Sequence, residues 1–366
     1  MTISLPPPPA FHRLARLGRP VRWWRPLLVL GTALVLYAGL LIVPILSLVV
    51  LADLNPTVGP TLDQVLKIDT LNDPVGLAGL LILITLMLPA TMLAVRLVGR
   101  RRAGTLLSVA GGLRWRLLGR AAVITAAVLA VFSGLMLLLD APTESVPTAA
   151  IPAETMSTGE GGRLAAMLIL VLLIVPWQAA AEEIVFRGLL AQTVGNWLRH
   201  PAWAILLPLP LFVLGHDYDA YGMASVAVFA AVAGYLTWRT GGLEAAIGMH
   251  VVNNVGAFVL ALLTGADLDA TAVDPLAALL SIAYTLLTAA LILALQPVAG
   301  PDRSQFAHGL GLAEREELFP FRLAPPQDDA DQHGDLHDRR DPVADHFRDH
   351  VQRRSELDRP AGHVRQ

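Results

Sequence analysis

Two carboxylates and a guanidinium, Glu182, Glu183 and Arg187, occur within six residues of one apolar stretch. Each charge near the centre of a bilayer costs roughly 2.5–3.5 kcal/mol on insertion scales, so we expect these groups to face inward and compensate one another. On a helix, Glu183 and Arg187 are four residues apart and can pair, whereas Glu182 is rotated by about 100° from Glu183. Glu182 is therefore free to interact with other groups.

Further polar residues follow in later apolar stretches. His216 ends a short one, and His250 and Asn254 lie four residues apart on another, which places them on one helix face. We predict that Glu182, His216, His250 and Asn254 line one polar pocket between helices and are its candidate catalytic residues.

These residue types suit the hydrolysis of an amide bond. In a poorly solvated site Glu182 can act as general base toward a water molecule that one of the two histidines shares or orients. The second histidine and the Asn254 amide can donate hydrogen bonds to the oxyanion that forms at the attacked carbonyl. Alternatively, Glu182, His216 and His250 can be three ligands of Zn²⁺, with a fourth position open for water. The site therefore uses either no cofactor or Zn²⁺, and Asn254 and the second glutamate slightly favour the metal-free chemistry.

The composition is that of a polytopic membrane protein. Of the 366 residues, 54% are hydrophobic and only 16% are charged, and the absence of cysteine excludes disulfides and thiolate chemistry. The predicted fold class is an all-α membrane bundle of about eight transmembrane helices with a buried polar cavity. The eight apolar stretches lie at about 26–51, 75–98, 117–139, 164–186, 202–216, 223–238, 243–263 and 273–296.

Arginines concentrate between the second and third predicted helices, whereas the first and third loops are acidic. Because basic loops remain in the cytoplasm, we predict a multi-pass protein of the cell membrane with both termini cytoplasmic. The predicted organisation is a basic cytoplasmic N terminus over 1–25, transmembrane helices over 26–140, a catalytic core of four helices over 164–263, a last transmembrane helix over 273–296 and a charged, disordered tail over 297–366.

The depth of His216 decides whether the pocket can form. Strict alternation of eight spans puts Glu182 and His216 more than about 10 Å apart along the membrane normal. Pro208 and Pro210 can kink or shorten the fifth span, so we predict that it is tilted or displaced to bring His216 to the depth of Glu182.

The order of these residues resembles the CAAX protease and bacteriocin-processing (CPBP, Abi-like) family of intramembrane endopeptidases, which are related to the type II CAAX prenyl endopeptidase. The resemblance covers about residues 164–260, and its three motifs are E-E-x-x-x-R at Glu182, Glu183 and Arg187, F-x-x-x-H at Phe212 and His216, and H-x-x-x-N at His250 and Asn254. It implies that Glu182 and His216 activate water and that His250 and Asn254 stabilise the oxyanion. It also implies that Glu183 and Arg187 support the site by positioning their helix.

The resemblance implies a membrane-embedded CAAX-type protease, of glutamic or metal-dependent type, with the lipid bilayer and a peptide or protein substrate as partners. No nucleic-acid motif is present. The alternatives are a non-catalytic scaffold or immunity protein with the same fold, and a proton-coupled transporter. A transporter predicts polar residues or half-helices in both halves of the chain, whereas here the polar residues are concentrated in one half.

Overall fold

The structure is an all-α bundle, as the apolar stretches predict. This computed structural model describes residues 10–16, 22–55, 71–138 and 158–295, so the predicted tail over 297–366 lies outside the described residues. The described helices are α1 (Arg25–Leu54), α2 (Pro74–Thr85), α3 (Met87–Leu97), α4 (Trp115–Leu138), α5 (Thr158–Glu183), a π-helical segment (Ile184–Leu190), α6 (Ala191–Trp197), α7 (Pro201–Leu206), α8 (Leu209–Leu214), α9 (Ala220–Thr240), α10 (Glu244–Thr264) and α11 (Pro275–Leu295), with 3₁₀ helices at Phe11–Arg16 and Ala103–Leu106.

Seven stretches of the described chain are long and apolar enough to cross a membrane. They are α1, the α2–α3 pair, α4, the run from α5 through α6, α9, α10 and α11. Their outer surfaces are apolar: Leu34, Val35 and Val43 of α1, for example, are 61%, 72% and 62% exposed. Such surfaces require a lipid environment, and the protein is therefore a multi-pass membrane protein.

The predicted fifth span is a broken segment rather than a continuous helix. Residues 201–214 form the two six-residue helices α7 and α8. Pro201 begins α7, and Pro208 and Pro210 flank the first residue of α8. Because proline lacks a backbone N–H and clashes with the preceding turn, the helix is interrupted between these two pieces. The eight predicted spans thus become seven long ones and one short, bent segment.

The span that carries Glu182 is longer than the predicted 164–186. It extends over residues 160–197, because helical structure continues from α5 through the π-helical segment Ile184–Leu190 into α6. A π-helical turn accommodates an extra residue, and such turns occur frequently at functional sites. Here the π-helical segment contains the buried Arg187 and begins directly after Glu183.

Helix α10, which carries His250 and Asn254, packs against α4, α5 and α9. Close approach to α4 depends on Gly248, where a Cβ atom would lie 2.9 Å from the carbonyl oxygen of Leu118 and 3.1 Å from the amide nitrogen of Ala122. Small residues at helix contacts allow such approach in membrane proteins. The packing therefore fixes α10 beside α5, with its polar residues facing Glu182.

The 3₁₀ helix at Phe11–Arg16, within the predicted basic N terminus, packs onto α6. Phe11 and Leu14 are each 2% exposed and belong to the apolar core. His12 Nε2 donates to the carbonyl of Arg199 at 3.0 Å, and Arg16 donates to the carbonyl of Asn196 at 2.9 Å. These donors satisfy carbonyl groups at and beyond the end of α6 and hold that end against the N-terminal residues.

Candidate active site

Glu183 is the buried centre of the polar cluster. It is completely buried, and its Oε1 accepts hydrogen bonds from Arg187 Nη1 at 2.9 Å and from His250 Nδ1 at 2.8 Å. An ionised carboxylate only accepts hydrogen bonds, so the contact fixes a proton on Nδ1 of His250. Glu183 therefore links its own helix to α10 and determines which nitrogen of His250 faces the neighbouring Glu182.

Glu182, adjacent in sequence, has a different environment. The residue is 8% exposed, and its Oε2 lies 3.5 Å from Nε2 of His250. That oxygen is buried and has no hydrogen-bond partner among the described residues. A buried carboxylate oxygen without a partner is costly, which makes it a natural acceptor for a water molecule or substrate.

His216 lies just beyond the end of α8. Its Nδ1 donates to the carbonyl of Phe212 at 2.9 Å, which leaves Nε2 as the available acceptor. The Phe212 ring lies between the polar groups: its centroid is 4.8 Å from the His216 ring and 6.2 Å from the His250 ring. The guanidinium of Arg187 also packs on the Phe212 ring, with Cζ 4.1 Å from the ring centroid. Phe212 thus contacts Arg187 and both histidines, while Arg187 and His250 also share Oε1 of Glu183.

One cavity of about 510 Å³ contains all four sequence-predicted catalytic side chains, Glu182, His216, His250 and Asn254. The interruption of the helix between α7 and α8 permits this, because the short segment ends within the bundle rather than following a straight span. The structure therefore places His216 and Glu182 on one cavity.

Two polar residues of the cavity, Gln178 and Asn253, were not predicted from the sequence. Gln178 lies one helical turn before Glu182, is 5% exposed, and accepts a hydrogen bond from Asn254 Nδ2 at 3.3 Å. Asn253 Nδ2 donates to Asn254 Oδ1 at 3.2 Å. The spacing of four residues between Gln178 and Glu182 could have indicated a shared helix face. Together these contacts orient the carboxamide of Asn254 between α5 and α10.

The residues present do not form a preorganised zinc site. In the described part of the chain, no three His, Asp or Glu side chains are placed to hold one metal ion. The Nδ1–H of His250 does bond to a carboxylate, as in metal-ligating histidines, but Glu182, His216 and His250 do not converge as a ligand set. We therefore derive no catalytic step through Zn²⁺.

A second buried ion pair positions the start of α10. Glu244 is fully buried and binds Arg114 through both oxygens: Nε donates to Oε1 at 2.9 Å and Nη2 to Oε2 at 2.7 Å. Beside this pair, Leu243 N donates to the carbonyl of Leu107, and Val109 N donates to that of Gly241, which has a left-handed φ of 69°. The loop before α4 is thereby fastened to the α9–α10 turn.

Replacing Glu244 with Gln should destabilise the protein by about 1–3 kcal/mol, because Arg114 loses its anion but keeps 23% of its side chain exposed to solvent. Thermal unfolding in detergent measures the effect, and exposed Glu160→Gln is the matched control. A melting temperature equal to that of the control would contradict this role. The substitution should also reduce the activity of the folded fraction, since Glu244 lies at the end of the helix that carries His250.

Fold and site define a polytopic membrane protein with a buried glutamate–histidine centre. Residues 163–256 match the family model described as type II CAAX prenyl endopeptidase Rce1-like, and all three motifs lie within this segment. The resemblance to the CAAX protease and bacteriocin-processing family is thus confirmed. The uncharacterized protein YyaK of Bacillus subtilis (strain 168) is 27% identical over 209 residues, which cover 55% of this chain and 65% of YyaK. No solved structure matches the chain significantly.

Proposed function

We propose that the protein is an intramembrane endopeptidase in which Glu182 activates water without a metal ion. One observation carries the proposal: the unpartnered, buried Oε2 of Glu182 lies 3.5 Å from His250 in a cavity shared with His216 and Asn254. The match to a protease family supports the reaction class. Because that match covers part of the chain and YyaK is spanned only in part, activity and substrate remain proposals for the whole protein.

In the proposed reaction, Glu182 removes a proton from water while Nε2 of His216 accepts that water's second hydrogen bond. The water oxygen attacks the carbonyl carbon, and the carbonyl oxygen becomes an oxyanion. Asn254 can donate its second amide hydrogen to the oxyanion, since only the first is directed to Gln178. The C–N bond then breaks, and the proton held by Glu182 passes to the leaving nitrogen, which yields a carboxylic acid and an amine.

His250 can stabilise the oxyanion only in its protonated form. Its Nδ1 proton is directed to Glu183, so Nε2 donates a hydrogen bond only when the ring is an imidazolium. Glu183 therefore acts as the residue that orients the His250 ring, in addition to its pairing with Arg187.

A peptide-cleavage assay tests the proposal. The purified protein in detergent is incubated with a fluorogenic peptide library, and wild type is compared with His216→Ala and with exposed Asp53→Asn as a control. We expect cleavage that His216→Ala reduces by about 10²-fold or more and that the control retains. Activity that a strong chelator removes and Zn²⁺ restores would instead support the metal-dependent alternative. A scaffold or transporter would show no cleavage in any sample.

We also propose that both termini are cytoplasmic. The loop with Arg100, Arg101 and Arg102 lies at the end of the bundle opposite the acidic residues 265–274. Because basic loops remain in the cytoplasm, the end with these arginines is the cytoplasmic one. The natural chain has no cysteine, so single-cysteine variants are free of background labelling. In intact cells a membrane-impermeant maleimide should label Thr271→Cys and should label Arg116→Cys only after permeabilisation. The reverse pattern would invert the proposed orientation.

A further inference from the structure

The cavity around Glu182 has no lysine or arginine in its described lining. Its ionisable carboxyl groups are Glu182 and Asp267, and its histidines are His216 and His250. Arg187, whose guanidinium lies over the Phe212 ring, is paired with Glu183 and is not part of this lining. A carboxylate that entered this cavity would lose its hydration without gaining a lysine or arginine as partner.

The open end of the cavity is also rich in negative charge. The cavity extends to residues near the ends of α2, α8 and α10, among them Leu71, Tyr218, Asp267 and Val273. The described segments at this end, 71–74, 158–163, 217–219 and 265–274, contain one basic residue, Arg163, and seven acidic ones: Asp73, Glu160, Asp217, Asp219, Asp267, Asp269 and Asp274. We call these segments the acidic mouth.

One of these carboxylates is held in its charged form. Backbone N–H groups of Gly222 and Val273 hold the pKa of Asp219 below its ordinary value, so this residue of the acidic mouth stays ionised. A concentration of one sign of charge attracts ligands of the opposite sign and repels those of the same sign.

From these charges, and resting on the proposed function, we infer that the cavity takes an internal, apolar segment of a polypeptide with basic flanking residues, and not a free C-terminal carboxylate. A substrate cleaved within a few residues of its C terminus would bring the terminal carboxylate close to Glu182. An internal segment carries no such charge. Its scissile amide can reach Glu182 while its basic residues remain at the acidic mouth, and the cavity's 510 Å³ is within the roughly 300–1,000 Å³ of ligand pockets.

Four labelled peptides with one Leu/Ala-rich core test the inference. In the first the core is internal and flanked by lysines, and in the second it is flanked by glutamates. The third ends in a free carboxylate three residues beyond the core's central bond, and the fourth is the same peptide with an amidated end. Affinity is measured by fluorescence anisotropy on the full-length Glu182→Gln protein in detergent, and cleavage is measured separately on wild type.

We expect the lysine-flanked peptide to bind at least about tenfold more tightly than the glutamate-flanked one, and the amidated end to bind more tightly than the free carboxylate. Ser281 is an exposed residue of the cavity lining, and Ser281→Arg adds a cation there. This substitution should reduce the difference in affinity between the amidated and the free-carboxylate peptide, whereas the neutral Ser281→Gln should not. Equal affinities, or preference for the free carboxylate, overturn the inference. Selective binding without cleavage by wild type leaves the inference standing and overturns the proposed protease function.

Discussion

Replacing Glu182 with Gln should lower the rate of peptide cleavage by about 10²–10⁴-fold, the usual contribution of a general base, and leave thermal stability unchanged. Glutamine has nearly the same shape as glutamate but cannot accept a proton from water. Oε2 of Glu182 accepts no hydrogen bond from the described residues, and its contact with Nε2 of His250 is 3.5 Å long, so the substitution costs little stability. Loss of activity would thus occur in a folded protein.

The measurement combines initial cleavage rates with melting temperatures in the same detergent. Asp53→Asn controls for the loss of one negative charge, since Asp53 is exposed and lies neither in the acidic mouth nor beside His250. Retention of most of the wild-type rate by Glu182→Gln would remove Glu182 from the mechanism. A large fall in melting temperature would instead show that the residue has a structural role that its unpartnered oxygen does not indicate.

The sequence was informative about the fold for a physical reason: in a bilayer every backbone polar group must be satisfied internally, so long apolar stretches become helices. The same reasoning identified the unusual charges near Glu182. Pairing of Glu183 with Arg187 follows from a spacing of four residues, and the structure has this contact at 2.9 Å even though a π-helical segment begins between the two residues.

Contacts between distant residues could not be obtained in this way. The hydrogen bonds from His250 to Glu183 and from Asn254 to Gln178 join residues 67 and 76 positions apart, and Arg114 reaches Glu244 across 130. Such contacts depend on the rotation of each helix about its axis, which apolar periodicity leaves undetermined when a helix is apolar on nearly every side. The double role of Glu183, toward Arg187 and His250, therefore became apparent only in three dimensions.

That double role leads to the largest expected effect on stability: replacing Glu183 with Gln should destabilise the protein by about 3–5 kcal/mol. Glu183 is fully buried and Arg187 is 5% exposed, so removal of the carboxylate leaves a guanidinium in a low-dielectric interior. The Phe212 ring 4.1 Å from Arg187 Cζ gives only part of the compensation that an anion provides. The glutamine keeps one oxygen that can accept from His250 Nδ1, but this oxygen carries no full negative charge.

A comparison of neighbouring glutamates makes this prediction specific. Unfolding midpoints in detergent should fall steeply for Glu183→Gln and remain unchanged for Glu182→Gln, although both substitutions remove one carboxylate from the same stretch of helix. The double variant Glu183→Met/Arg187→Met removes both charges and should be more stable than Glu183→Gln, because an apolar pair carries no unpaired ion. If the double variant proved less stable than the single one, the cost would come from lost packing or from His250 rather than from an uncompensated Arg187. A stable Glu183→Gln variant without activity would assign Glu183 to the orientation of His250 alone.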